Sequence, residues 1–186
     1  MPEKTAIVSI QNVVASASIK QTLNLNSIVR AFPSVEYRPE QFPGLVYRLK
    51  KPKTATLIFS SGKMVCTGAR SERLAKRAVM KVVKELKSNG IVIVGKPDIH
   101  IQNIVASGNL FGRIDLEKTT YALKKTMYEP EQFPGLIYRM DNPKTVMLLF
   151  ASGKFVCTGA RSESQVYEAV KNLQENLEKA KLISYE

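Results

Sequence analysis

This sequence of 186 residues contains few side chains that could carry out catalysis. His100 is the only histidine, so a histidine-based acid/base pair or an ordinary zinc site would lack its second imidazole. The segment CTGARSE precedes a predicted helix, but it does not have the Gly-Lys-Ser/Thr ending of a phosphate-binding loop. We therefore interpret His100 as structural, the glycine of this segment as a turn residue, and the protein as a non-enzyme that needs no cofactor or metal.

Binding chemistry is far better represented, and it begins with a duplication. The stretch Pro39–Glu72 recurs 91 residues later as Pro130–Glu163 without a gap, and 25 of its 34 positions are identical. In the predicted strand at 54–60, Leu57 and Phe59 recur unchanged, whereas Thr56, Ile58 and Ser60 on the other face are replaced. Ala55, which becomes Val146, is the one exception on the repeated face. Because successive side chains of a strand point to opposite faces, one face is duplicated and the other is not. Two equivalent faces suit a ligand with approximate two-fold symmetry, and we expect repeats at 1–91 and 92–186.

Two cysteines, Cys66 and Cys157, occupy equivalent repeat positions on the side that is predicted to face the core. We interpret them as buried free thiols. The alternative is that they form a disulfide or share a metal ion.

The charge of the chain points to a polyanionic partner. The formal net charge is +12, and residues 1–91 hold 16 Lys and Arg against 5 Asp and Glu. An excess of this size is typical of nucleic-acid binding. Six basic residues are also placed identically in the two halves: Arg48, Lys63, Arg70, Arg139, Lys154 and Arg161. No apolar run reaches the roughly 18 to 20 residues that a membrane span requires.

The local sequence predicts an α+β fold that positions these groups. Strands are expected at Ala6–Ser16 and Asp98–Ser107, each followed by a short helix with Asn24 or Asp115 as its N-cap. Three further strands and a long amphipathic helix complete each half, and Ser162 starts the second long helix. Helices can cover only one face of such a sheet, so the duplicated apolar face needs a ligand or, alternatively, a second subunit.

A broad apolar face with a basic rim suits the minor groove of DNA, whose phosphates run along both sides. A·T pairs present only acceptors there, and G·C pairs add a protruding amino group. Amide and hydroxyl donors on an otherwise apolar face would therefore favour A·T-rich sequence.

The motifs IQNVVAS and IQNIVAS, both copies of EQFPGL, PKT followed by LIF or LLF, and both copies of VCTGARSE resemble the TATA-box-binding protein family, in its archaeal form. The resemblance covers essentially the whole chain. It implies a saddle of two pseudo-symmetric halves, with a ten-stranded curved antiparallel sheet, four helices on the convex face, and the TATA element bound on the concave side.

The resemblance also implies a role for each matching position. The residues that kink DNA would be Phe42, Phe59, Phe133 and Phe150. The residues that contact bases in the minor groove would be Asn12, Asn103, Thr67, Thr158, Val14, Val105, Val65, Val156, Leu57, Leu148, Pro43 and Pro134. The six repeated basic residues would contact phosphates and sugars.

Partners follow from the same resemblance. Glu129, Glu131 and Gln132 match the docking site for the B-type general transcription factor, although Gln132 stands where eukaryotic members have an apolar residue. RNA polymerase would join this assembly, a homodimer could form without DNA, and the protein would be cytoplasmic and associated with the nucleoid. The alternative from another class is the substrate-binding saddle of a nucleic-acid repair enzyme.

Overall fold

The computed structural model describes residues 5–186, which form two compact units. The first unit is Asn12–Gln102, and the second unit is Asn103–Glu186 together with the described residues before Asn12. Each unit therefore holds residues from both sequence repeats, since the opening strand of each repeat is divided between the units.

The first unit contains four strands in the order β2-β3-β4-β1 and two helices. Every pairing within this set is antiparallel. The elements are β1 (Ile7–Ser18, which begins in the second unit), α1 (Leu25–Ala31), β2 (Leu45–Leu49), β3 (Thr54–Ile58), β4 (Lys63–Ala69) and α2 (Glu72–Ser88).

The second unit repeats this plan with additional short strands. Five strands lie in the order β5-β10-β9-β8-β7, and a separate two-stranded sheet pairs β11 with β6. The elements are β5 (Asp98–Asn109, which begins in the first unit), β6 (Arg113–Ile114), α3 (Leu116–Ala122), β7 (Thr126–Met127), β8 (Leu136–Asp141), β9 (Lys144–Leu149), β10 (Lys154–Ala160), α4 (Glu163–Lys179) and β11 (Ile183–Ser184).

The α+β class and the four helices are confirmed, and the large antiparallel sheet has nine strands where ten were predicted. In the second unit Met127 of β7 pairs with Ile137. At the equivalent place in the first unit, Glu36 makes only an isolated antiparallel bridge to Val46. One bridge is too short to count as a strand, so the tenth strand is reduced to this single contact.

Helix starts agree with the capping residues that the sequence predicts. The backbone N–H of Ser27 donates to Asn24 Oδ1 at 3.3 Å, and that of Lys118 donates to Asp115 Oδ1 at 2.9 Å. The long helices begin after Ser71 and Ser162, whose hydroxyls accept from backbone N–H groups of the first turn. These side chains satisfy donors that have no partner inside the helix.

The long helices cover one face of each unit. Helix α2 buries Ala78, Val79, Val82 and Leu86, each fully, and α4 buries Leu173 in the same way. The strand residues that alternate with the duplicated face are buried beneath them, including Met64 and Cys66 of β4. The parity predicted from the repeat comparison is therefore confirmed, and the opposite face is left without a helical cover.

Cys66 and Cys157 are free and fully buried. Burial raises the pKa of Cys157 to about 11 and also raises the pKa of Cys66, where the nearby Thr56 and Thr54 hydroxyls act weakly in the opposite direction. Both groups are thus protonated thiols at neutral pH.

We predict that a disulfide-exchange reagent at pH 8 modifies the folded protein very slowly, because only the thiolate attacks and burial disfavours it. In guanidinium chloride without a reductant, two thiols per chain should react rapidly. Fast modification of one thiol in the folded protein would contradict the assignment, and a count near zero after unfolding would indicate a disulfide.

Candidate nucleic-acid interface

The uncovered face of the first unit is made by alternate residues of neighbouring strands. Leu57 of β3 pairs with Val65 of β4, and Ala55 pairs with Thr67. These side chains are partly exposed, whereas their neighbours Ile58 and Cys66 are fully buried. The second unit has the same surface, since Leu148 pairs with Val156 and Val146 with Thr158. Val14 and Val105 are also partly exposed, on β1 and β5.

A β-bulge positions the asparagine of the first unit. Val13 pairs with Ala69 and Ala15 with Cys66, so one residue of β1 lies opposite two residues of β4. The second of those two is Gly68, whose φ is +100°, a conformation that residues with a side chain rarely adopt. The sequence prediction of a turn glycine here was wrong, because Gly68 lies within a strand.

The bulge gives Asn12 a fixed orientation. The backbone N–H of Gly68 donates to Asn12 Oδ1 at 2.7 Å, and Asn12 Nδ2 donates to Thr67 Oγ1 at 3.0 Å. Because a backbone N–H can only donate, Oδ1 must face Gly68 and Nδ2 must lie on the other side. One amide hydrogen of Nδ2 is left to donate to a ligand.

The second unit reproduces this arrangement closely. The N–H of Gly159, at φ +95°, donates to Asn103 Oδ1 at 2.7 Å, and Asn103 Nδ2 donates to Thr158 Oγ1 at 3.2 Å. Each unit thus holds one oriented amide donor in the middle of an apolar face, where an unpaired asparagine would be unfavourable.

A phenylalanine pair lies at one end of the face in each unit. The rings of Phe42 and Phe59 meet edge to face with centroids 5.9 Å apart, and those of Phe133 and Phe150 do so at 6.1 Å. Phe42 is 42% exposed and Phe133 46%, which is unusual for such large apolar side chains. The following glycine makes room for them, since a Cβ at Gly44 would lie 2.7 Å from the Phe42 ring.

The turn that carries each exposed phenylalanine is fixed by backbone hydrogen bonds. The N–H of Phe133 donates to the carbonyl of Glu129 at 3.0 Å, as the N–H of Phe42 donates to that of Arg38 at 2.9 Å. Pro43 and Pro134 follow the phenylalanines and are exposed, as are Glu129, Glu131 and Gln132. The predicted partner-binding residues are therefore accessible and adjoin the phenylalanine pair of the second unit.

All six repeated basic residues are exposed. Arg48 Nη1 forms an ion pair with Glu36 Oε1 at 2.8 Å. Met127 takes the place of Glu36 in the other copy, and Arg139 makes no ion pair within residues 5–186. Lys63 and Lys154 likewise begin their strands without an acidic partner in the described chain, so their charges are available to a polyanion.

Two glutamines belong to this surface, and the sequence analysis missed them. Gln11 Nε2 donates to Ser107 Oγ at 2.9 Å, and Gln102 Nε2 donates to Ser16 Oγ at 2.7 Å. Each serine lies opposite a residue of the uncovered face, since Ser16 pairs with Val65 and Ser107 with Val156. The repetition of Gln11 as Gln102 in the two IQN motifs was visible in the sequence, but the serine partner of each glutamine was not.

His100 lies apart from any catalytic arrangement. Its side chain is exposed and its Nε2 lies 3.1 Å from Asp98 Oδ1. No group of three or more His, Cys, Asp or Glu side chains that could hold a metal ion occurs between residues 5 and 186. None of the helices in that part of the chain is both long and apolar enough to cross a membrane.

The fold and this surface present two equivalent uncovered faces, one in each unit. The chain matches the family described as "Transcription factor TFIID (or TATA-binding protein, TBP)" over residues 7–89 and 98–180. The chain belongs to this family, which confirms the resemblance inferred from its motifs. Members of the family are transcription factors, so the prediction of a non-enzyme is confirmed as well.

Individual relatives of the chain support this family membership. The "TATA-box-binding protein" of Pyrodictium occultum is 57% identical over 98% of this chain and 90% of its own length. The protein of the same name from Sulfolobus acidocaldarius is 53% identical over 92% of this chain and 87% of its own. The solved structure "Methanococcus jannaschii TBP" is 46% identical, with a TM-score of 0.84 over 92% of this chain and 98% of that one. The similarity to archaeal members that the motifs predicted is thus confirmed.

Proposed function

We propose that this protein binds the minor groove of a TATA element and acts as a general transcription initiation factor, with residues 1–91 and 92–186 as its two repeats. The names of its relatives support this function. The observation that carries it is the duplicated uncovered face, which presents the same apolar residues and the same oriented amide donor in each unit.

The chemistry of this face would favour A·T pairs. Asn12 and Asn103 each keep one N–H that can donate to adenine N3 or thymine O2. Their other amide hydrogens are held by the hydroxyls of Thr67 and Thr158. Val14, Leu57, Val65 and their counterparts Val105, Leu148 and Val156 would pack against sugars and the groove floor. A guanine amino group would meet these apolar side chains without an acceptor, which costs binding free energy.

The phenylalanine pairs supply the means to deform the duplex. Phe42 with Phe59, and Phe133 with Phe150, form exposed apolar edges that would insert between base pairs at the two ends of the element, with Pro43 and Pro134 beside them. Proteins that bind the minor groove commonly use such wedges, and the family is among them. The kinks would bend promoter DNA toward the major groove.

Partner proteins would bind exposed residues next to the uncovered face. We propose that Glu129, Glu131 and Gln132 dock the B-type general transcription factor, which would then bring RNA polymerase. In the absence of DNA, the uncovered faces could mediate a homodimer. The protein would act in the cytoplasm, associated with the nucleoid.

The proposal is tested by band-shift titration of the protein with a TATA duplex and with a GC-rich duplex of equal length. We expect a Kd at least a thousandfold lower for the TATA duplex at physiological salt, which is within the usual range of specific over non-specific binding. Equal affinities would refute sequence-selective binding.

One prediction concerns the basic rim. Lys63→Ala or Lys154→Ala should lower the slope of log affinity against log salt by about one, because one phosphate contact and its counterion release are lost. TATA and random duplexes should be weakened alike. The matched control is Lys84→Ala, an exposed lysine on α2. An unchanged slope for both rim variants, or a loss confined to TATA DNA, would contradict this role.

A further inference from the structure

Phe111 is an unusual residue in the loop after β5. Its φ is 59°, and its side chain is 37% exposed. A left-handed backbone is unfavourable for a bulky residue, and such strain is found mostly where the side chain has a function. The loop itself is firmly held, because the N–H of Phe111 donates to Asn109 Oδ1 at 2.9 Å and that of Leu110 donates to the Gly153 carbonyl at 2.9 Å.

Phe111 lines a groove of about 690 Å³ in the second unit. Ile7, itself 60% exposed, and Phe150 form apolar parts of the wall. Lys154 and Val156 line it too. Phe150, Lys154 and Val156 already belong to the face proposed to bind DNA. The groove is therefore continuous with that face. Serine hydroxyls of Ser9 and Ser107 add polar atoms to the lining.

The equivalent positions of the first unit have a different chemistry. Ile7 corresponds to Asp98, Ser9 to His100, and Phe111 to Lys20. Asp98 and His100 lie within 3.1 Å of each other. Lys20 has the same left-handed backbone as Phe111, with φ 54°. The two units therefore share one binding face but differ at its margin, which is apolar in the second unit and charged in the first.

We propose that the groove of Ile7 and Phe111 is an additional DNA subsite, which takes the deoxyribose edge of the backbone next to the base step wedged by Phe150. This inference rests on the proposed function. A deoxyribose presents an apolar C–H edge between two phosphates, and the groove offers apolar side chains beside the cation of Lys154. At the equivalent margin of the first unit, Lys20 meets a phosphate. At this margin, the second unit therefore holds DNA with a larger apolar and a smaller salt-dependent contribution than the first unit does.

The test uses Phe111→Asn, since asparagine tolerates the left-handed backbone and the loop should keep its fold. We expect TATA affinity to fall about tenfold at every salt concentration, with an unchanged salt slope. Hydroxyl-radical protection of the deoxyriboses at one end of the site should weaken. Phe111→Lys introduces the residue type that Lys20 provides at the equivalent position of the first unit. This variant should instead raise the slope of log affinity against log salt by about one. The control is Tyr121→Asn, because Tyr121 is an aromatic residue on α3 whose side chain is 85% exposed.

The outcomes separate this inference from the proposed function. If the unmodified protein shows no preference for TATA DNA, the proposed function fails. If it does prefer TATA DNA, and Phe111→Asn binds within twofold of it with unchanged deoxyribose protection, the subsite alone is overturned. A loss equal to that of Tyr121→Asn would overturn it too, because the effect would not be specific to the groove.

Discussion

Replacing Phe133 with alanine is expected to leave TATA DNA markedly straighter in the complex and to weaken binding about 30-fold. The 46% exposed ring at this position would, in the proposed role, offset the cost of unstacking a base step, which is a few kcal/mol for minor-groove wedges. Without the ring, the DNA keeps that step stacked and loses part of its contact with the protein. A loss of about 2 kcal/mol corresponds to the stated change in affinity.

The measurement is fluorescence energy transfer between the two ends of a labelled duplex, at saturating protein. Phe42→Ala should act in the same way through the first unit, and the double variant should show the smallest bend. Tyr121→Ala serves as the control, since this exposed aromatic residue lies on α3. An unchanged bend in both single variants would rule out the wedge assignment.

Asn103→Asp should have a still larger effect on TATA binding, about 100-fold or more. The carboxylate can still accept the N–H of Gly159, which Asn103 Oδ1 accepts at 2.7 Å, so the bulge should remain intact. The substitution nevertheless removes the N–H donor that base acceptors need, worth about 1 to 3 kcal/mol, and directs a negative charge into the groove. Both changes oppose binding, and the loss should be greater for TATA DNA than for random DNA.

Competition band shifts against TATA and GC-rich duplexes would measure this loss, and a thermal melt would show whether the fold is kept. Asn12→Asp should behave alike, through its identical contact with Gly68. Asn26→Asp introduces the same charge change at an exposed position in the first turn of α1, where an acidic residue is favourable, and it should have little effect. If Asn103→Asp and Asn26→Asp bind equally well, the amide is not a base-reading donor.

Much of the candidate face could be predicted because it depends on local periodicity and on the comparison of the two repeats. Strand alternation alone placed Leu57 and Phe59 on the uncovered side, and the structure shows their neighbour Ile58 fully buried. Asn24 and Asp115 were predictable as helix caps, since a cap is a contact over three residues of chain. Such features need no knowledge of which distant segments meet.

The contacts that orient the donors could not be predicted, because they join residues far apart in sequence. The two-against-one bulge between β1 and β4 depends on strand register, so Gly68 was taken for a turn glycine although it supplies the N–H that fixes Asn12. The hydrogen bond from Gln11 to Ser107 spans 96 residues and likewise has no local signal.

By itself, the sequence determined the duplication, the basic charge, the parity of the strands and the family, because each is a property of residue order or of comparison along one chain. Tertiary structure alone decided which groups face one another. It paired Glu36 with Arg48 in one copy and left Arg139 without such a partner among residues 5–186, and it set Phe111 near Phe150 at the margin of one face. The physical reason is that a sequence repeat gives the two units equivalent backbones. The side chains that differ between the copies pack differently, and this packing determines which contacts each face makes.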